Sequence, residues 1–511
     1  MPGTGWRRTE CCMDDGCLAI ADGFCYDAQA ARAEVIRMRC NMGFSGERLH
    51  TLRQTLVGDR AFYRKVLAVA VPMMVQNAIT NFVSLLDNIM VGRVGTEQMS
   101  GVAIVNQLLF VYYLCIFGGL AGAGIFTAQY YGTKDYEGIR HTFHYKLWLA
   151  VGVTALAAGI FVWQGEALIS LYLNPSESAG DLEATLQWAL EYLRVMLLGL
   201  PAFMFVQIYT STLRECSETK LPMRASVCAV MVNLVFNYIL IFGHFGFPKM
   251  GVVGAAVATV ISRYVEMLIV VIWTHVHPDR NPYIKGIYRR WGIPKELVRT
   301  ITVKGFPLLL NEALWSSSQA ILVQCYAVRG LTVVAALNIA STITNLFNCV
   351  FLSLGSSVAI IVGQLLGAGR MEEARDTDNK MIAFSIAISS VVALAVFATA
   401  PFFPRMYNTE EDVRHLATLF MMITAVFMPQ NAFMNATYFT LRSGGKTMLT
   451  FLFDSVNGWV ISIPIAFILS RFTGMHVALI MVMVMIGDWG KCILGFVLVK
   501  KGIWLQNIVG K

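Results

Sequence analysis

Apolar runs of about twenty residues, each long enough for an α-helix to cross the hydrocarbon of a bilayer, follow one another along most of the chain. They fall at 66–91, 99–128, 142–163, 186–212, 223–243 and 252–275, and again at 304–327, 335–366, 381–403, 415–441, 449–469 and 475–498. Polar residues and helix breakers between and within the runs repeat as well. Pro72, Gly95, Gln129, Gly132, Glu137 and Arg140 recur 235 positions later as Pro307, Gly330, Gln364, Gly367, Glu372 and Arg375. A second set recurs at a step of 228, pairing Pro201 with Pro429, Leu213 and Arg214 with Leu441 and Arg442, and Thr219 with Thr447. The pattern predicts an all-α polytopic membrane protein of 12 transmembrane helices made by tandem duplication. Six spans per repeat give both repeats the same orientation, so these are parallel repeats about an axis along the membrane normal.

Composition agrees with a lipid solvent. With 56% hydrophobic and 14% charged residues, the 511-residue chain has too little polar surface to cover a soluble globule of its size. The net charge of +8 raises the question of nucleic acid, but the basic residues punctuate the gaps between apolar runs and form no stripe. The lipid bilayer is therefore the expected partner, and nucleic acid is not. Loops on one side carry only Arg93, Lys249, Arg329, Arg405, Arg414 and Arg471. The other side holds the 276–303 stretch with Arg280, Lys285, Arg289, Arg290, Lys295 and Arg299. Because cytoplasmic loops retain Lys and Arg, both termini are expected in the cytoplasm. The organisation is then an N-terminal extension at 1–60, an N-lobe at 61–275, a cytoplasmic linker at 276–303, a C-lobe at 304–500 and a cytoplasmic tail at 501–511. The extension has no long apolar run and no signal-peptide pattern. It reads as a disordered segment or a start placed upstream of the true one, with Met42 as the alternative initiator.

Carboxylates within spans need an explanation, because lipid does not solvate charge. Asp87 lies in the first span, with Asn77 and Asn81 at helical spacing below it. It is either an interfacial acid already in water or an inward-facing carboxylate that binds a sodium ion or a proton. Asn233 and Asn237, four residues apart, share a face of the fifth span, and the sixth adds Thr259. Asp87 with Asn233, Asn237 and Thr259 offers the carboxylate, amide and hydroxyl oxygens that hard cations prefer. Interhelical hydrogen bonding is the competing reading. Glu312 stands five residues after Pro307 in the seventh span. Arg263 and Glu266 can pair along the sixth span, as can Asp488 and Lys491 along the twelfth, and Asp454 reads as a solvated helix end. Pro72 and Pro307 are candidate hinges, and bends are expected also at Pro201, Pro429 and Pro464. No nucleophile with a companion base, no metal-spaced His cluster and no phosphate loop is visible, so no enzyme, cofactor or structural metal is expected.

The segments VPMMVQNAITNFVSLLDNIMVGRVG, GIFTAQYYGTKD and NYILIFG, with GFPLLLNEALWSSSQ and GQLLGAGRMEEAR in the second half, resemble the multidrug and toxic compound extrusion (MATE) transporters from residue 61 to the end. The resemblance implies two six-helix lobes around a central cleft, in the plasma membrane, exporting cationic amphipathic small molecules in exchange for inward Na+ or H+. It implies the coupling ion at Asp87, Asn233, Asn237 and Thr259. Many relatives have Asp where this chain has Asn237, so the site lacks one negative charge. Glu312 falls in the helix of the family's second cation site, one turn nearer the proline, and the tenth span offers no companion carboxylate. Phe110, Tyr113, Tyr209 and Met422 are candidate walls of the cleft, and a monomer is expected. A lipid-linked oligosaccharide flippase of the same superfamily is the alternative, with an intramembrane enzyme behind it.

Overall fold

The computed structural model describes residues 55–173, 182–289, 291–407 and 409–510; the expectation for the extension falls on residues that lie almost wholly outside these. Among the described residues the secondary structure is helical, without strands. The N-terminal repeat contributes α1 (Arg60–Gly92), α2 (Thr96–Thr133), α3 (Tyr136–Ser170), α4 (Leu182–Leu197 continued by Leu200–Glu215), α5 (Lys220–Phe242) and α6 (Gly251–Val276). The C-terminal repeat contributes α7 (Lys295–Ala327), α8 (Leu331–Gly367), α9 (Met371–Thr399), α10 (Glu411–Ser443), α11 (Thr447–Phe472) and α12 (Val477–Lys501). Ten of these are long and apolar enough to span a bilayer, and the two halves of α4 make an eleventh, bent by 48°. The twelfth, α7, has 33 residues but is more polar, because Asn311 and Glu312 meet protein and not lipid. The twelve helices form two six-helix lobes around a central cleft.

Two of the five prolines fall at irregularities of their helices and three lie within continuous helix. The bend in α4 falls directly before Pro201, where the ring clashes with the preceding turn and removes an amide donor. In α11, π-turns at Leu452–Val456 and Gly458–Ser462 precede Pro464. Pro72, Pro307 and Pro429, by contrast, lie inside unbroken helices, so neither candidate hinge is a break in the helix. α7 also begins at Lys295 and not at 304, which shortens the linker. The remaining linker folds against α3, with Arg140 Nε donating to the Tyr283 carbonyl at 3.2 Å and His144 Nε2 bonding that of Ile287 at 2.7 Å.

The lobes exchange their first helices at one end. Val66, Val69, Ala70 and Met73 of α1 pack into a core made by α8, α10 and α11, together with Trp504. Reciprocally, Ile301 and Leu308 of α7 pack against Ala121, Ile125 and Phe126 of α2. Where the C-terminal ends of α2 and α8 cross, the repeat is nearly symmetric. A Cβ on Gly132 would lie 2.0 Å from the Gln364 carbonyl oxygen, and one on Gly367 would lie 2.0 Å from that of Gln129. The glutamines complete the clasp: Gln129 Nε2 donates to the Ser443 carbonyl at 3.0 Å, and Gln364 Nε2 to the Glu215 carbonyl at 2.7 Å. Glu215 and Ser443 are themselves mates at the 228-residue step. Each glutamine therefore satisfies an orphan carbonyl at the end of a helix in the opposite lobe. The tail up to residue 510 is fastened over this crossing, with Ile508 N donating to Gln129 Oε1 at 2.9 Å and Asn507 Nδ2 to the Gly367 carbonyl at 3.0 Å.

A methyl group at this crossing meets backbone on both sides, so it cannot be accommodated by a side-chain rotation. Gly132→Ala is expected to cost the clasped state about 1–3 kcal/mol, the range for overpacking. In a background free of reactive thiols, a Ser443→Cys probe should then react with a polar thiol reagent at least several-fold faster than in the parent. An unchanged rate would show that the crossing does not hold the lobes together.

Candidate functional site

α1, α5 and α6 bring all four predicted N-lobe residues into one chain of contacts. Asn237 Nδ2 donates to Asp87 Oδ1 at 2.6 Å and to Asn233 Oδ1 at 3.1 Å. Asn233 Nδ2 in turn faces Thr259 Oγ1 at 3.4 Å. Both asparagines are buried, as expected for one helical face turned inward. Asp87 makes no ion pair among the described residues. The nearby cation, Arg263, is within electrostatic reach but donates to Glu266 at 3.0 Å, the pairing that its spacing predicts. Asn237 Oδ1 is buried without a hydrogen-bond partner. A carboxylate held only by an amide, with a spare amide oxygen beside it, is the donor set that a hard monovalent cation or a proton would complete.

The second lobe is arranged differently. Glu312 lies at the seam between lobes: a Cβ on Gly118 of α2 would stand 3.2 Å from Glu312 Cγ. Its repeat mate Asn77 occupies the corresponding position, donating to Ser353 of α8 at 3.1 Å; Ser353 is the mate of Gly118. Tyr438 of α10 donates to Glu312 Oε1 at 3.4 Å. Among the described residues α10 brings no carboxylate to it, and Asp454 of α11 lies within electrostatic reach. Two sequence readings need correction. Lys491 pairs with Asp454 and not with Asp488, because the π-turns of α11 carry Asp454 into the bundle, where Asn311 Nδ2 also donates to it at 3.1 Å. Asp454 is consequently no solvated helix end. Asp488 instead accepts from Asn457 at 2.8 Å and Ser462 at 3.1 Å.

Two of the four predicted cleft residues pack against hydrophobic cores. Tyr209 is buried, stacking edge-on against Phe143 and bonding the Tyr288 hydroxyl at 3.1 Å. Met422 packs onto the core of the C-lobe. Aromatic and Met side chains at helical spacing served as core in both cases. Tyr113 packs against Phe203 with ring centroids 4.3 Å apart and tilted by 37°, the Phe203 ring lies 5.7 Å from the Arg263 guanidinium, and Phe110 is exposed. Hidden in the sequence were a buried ion pair, Lys146 to Glu215 at 2.5 Å, and Asp378, fully buried and accepting from Thr440 Oγ1 at 2.6 Å. Asp378 escaped notice because it sits in a charged stretch that reads as a loop before the span at 381. The repeat held the missing signal: Thr440 is the mate of Thr212, which accepts from Lys146 at 3.2 Å.

The model of the MatE family matches residues 72–239 and 307–468, one stretch in each repeat. The chain belongs to the MATE family. A probable multidrug resistance protein NorM of Thermotoga maritima is 24% identical over 80% of this chain and 86% of its own length. The multidrug resistance protein PmpM of Pseudomonas aeruginosa is 26% identical over 80% and 84%. Among solved structures, a MATE family transporter of the MOP superfamily in an outward-facing conformation superimposes with a TM-score of 0.76 at 21% identity, covering 88% of this chain and 97% of that one. A MATE structure in the straight conformation gives the same TM-score at 22% identity over the same shares. The family fold bears out the twelve-helix, two-lobe reading, and the chain is a multi-pass membrane transporter, not an enzyme.

The Asp454–Lys491 pair supplies a stability test. Removing one member leaves the other charge buried, at a cost of about 3–5 kcal/mol, so Lys491→Ala should lower the thermal midpoint of the detergent-purified protein clearly. Asp454→Asn combined with Lys491→Gln should recover most of that loss. Equal midpoints for the single and double variants would contradict the pairing.

Proposed function

We propose that this MATE transporter exports cationic amphipathic small molecules in exchange for inward Na+ or H+, with Asp87 as the coupling residue. The observation that carries the reading is the Asp87–Asn237–Asn233–Thr259 chain, which holds a carboxylate without a contacting cation and a buried amide oxygen without a donor. The relatives' names, multidrug resistance proteins, support the substrate class. The distribution of Lys and Arg supports cytoplasmic termini. The clasp then closes the cytoplasmic end, and the cleft opens outward. A plasma-membrane location and a monomeric carrier complete the proposal.

The cycle follows from electrostatics. A cation or proton at Asp87 neutralises a charge that lipid-facing helices cannot solvate, which favours closing the N-lobe around it. Release restores the charge and favours hydration. A ligand shifts the equilibrium between lobe arrangements only by its difference in affinity for them, so coupling requires that Asp87 hold its cation unequally in the two. Glu312, at the seam where α7 crosses α2, is placed to act as a second coupling group or a substrate contact.

Asp87→Asn is expected to insert normally and to lose gradient-driven export of a fluorescent cationic dye from loaded vesicles. Export at the parental rate would remove Asp87 from the mechanism. Imposed sodium and pH gradients, applied separately, identify the ion. Glu312→Gln should alter either ion dependence or dye affinity, and a variant identical to the parent in both would reduce Glu312 to packing.

A further inference from the structure

The clasped end carries two sockets related by the internal repeat. In the C-terminal repeat, the socket between α7 and α2 is filled by the chain's own tail. Ile508 packs there with Phe126 and Ile301, and its Cδ1 would stand 3.3 Å from a Cβ on Gly445. The mates of Gly445 and Phe126 are Ser217 and Ile361, and these line a cavity between α1 and α8 beside the α4–α5 turn. This second socket is a cavity of about 670 Å³ that no described segment fills.

Its lining is strongly basic. Lys65, Lys220, Arg224 and Arg280 border it, with Glu218 as the one acid. Among the described residues, none of the four cations makes an ion pair. Basic residues at a cytoplasmic boundary are ordinary, so the comparison between repeats decides their meaning. The mates of these four positions are Thr300, Met448, Leu452 and Ile508, all uncharged. The filled socket carries its positive charge at another position, on Lys304, which donates to the Gly445 carbonyl at 3.2 Å, and the tail occupies its space; in the second socket Lys65, Lys220 and Arg224 of the N-terminal repeat and Arg280 of the linker surround an open one. Its volume falls within the range of small-molecule sites, and a basic pocket between transmembrane helices is the expected receptor for an anionic head group.

We propose that this cavity binds a phosphate-bearing anion, with Lys65, Lys220, Arg224 and Arg280 as its ligands. The anion occupies on one side the position that the tail occupies on the other. Because Ile361 comes from α8 while Lys65, Lys220 and Arg224 come from the N-terminal repeat and Arg280 from the linker, the site is complete only when the lobes are clasped. Linkage then makes the anion a stabiliser of the clasped state.

The full-length protein, purified in detergent, would be titrated with two probes: phosphatidylglycerol, against phosphatidylcholine as the uncharged control, and inorganic phosphate. Binding would be read by native mass spectrometry for the lipids and by calorimetry for phosphate. The expected result is binding of at least one anionic probe that falls at least about tenfold in Arg224→Gln/Arg280→Gln, as loss of two charge-assisted contacts requires. Selective retention of phosphatidylglycerol identifies a lipid source, and binding of phosphate alone a soluble one. If that variant does not fold, Lys65→Gln/Lys220→Gln provides the same comparison. Binding of neither anion, or equal binding by parent and variant, overturns the proposal.

Discussion

Two helix backbones touch where the C-terminal ends of α2 and α8 cross, and the rest of the arrangement depends on that contact. Gly132 and Gly367 leave no room for a side chain, each pressed against the carbonyl of the other helix's glutamine. The same glutamines reach across to cap α10 and α4. Helix association in a membrane has no hydrophobic drive of its own, so close backbone approach and interhelical hydrogen bonds must supply the affinity. Such a contact is short-ranged and breaks as a unit. It can hold one end of the cleft shut and still be released when the lobes rock.

Around that near-symmetric contact the polar groups are distributed asymmetrically. Asp87 has Leu322 as its mate, Glu312 has Asn77, and the Lys146–Glu215 pair has Met381 and Ser443. Asp378, which makes no ion pair among the described residues, has Phe143. A duplicated scaffold needs matched packing at its axis and little else, so substitutions away from the axis were free to diverge. The N-lobe thereby gained an amide-lined carboxylate. The C-lobe gained a compensated network around Asp454, Lys491 and Asp488, whose charges are largely satisfied within the protein.

Much of this was legible in the sequence. Apolar run length gave twelve spans, the echo of Gln129 and Gly132 in Gln364 and Gly367 showed the duplication, and the spacing of Asn233 and Asn237 put the two on one face of their helix. Tertiary events that leave no local trace were illegible. The π-turns that rotate Asp454 toward Lys491 cannot be read from a helical period, and the continuity of α1 through Pro72 depends on how the surroundings absorb a missing hydrogen bond. Tyr209 and Met422 illustrate another limit, since the residue types that line a drug pocket also fill a core. Asp378 was hidden because helix α9 begins within a charged stretch, and charge alone reads as water.

The central claim is that cation occupancy at Asp87 governs whether the lobes stay clasped. Spin labels on Thr133→Cys and Ala368→Cys, just beyond the crossing, report that separation directly by pulsed dipolar spectroscopy. The account predicts a distance distribution that shifts between a longer and a shorter population as sodium or protons are added, with the shift abolished in Asp87→Asn. A distribution indifferent to both ions, or one that shifts equally in the Asp87→Asn variant, would contradict it.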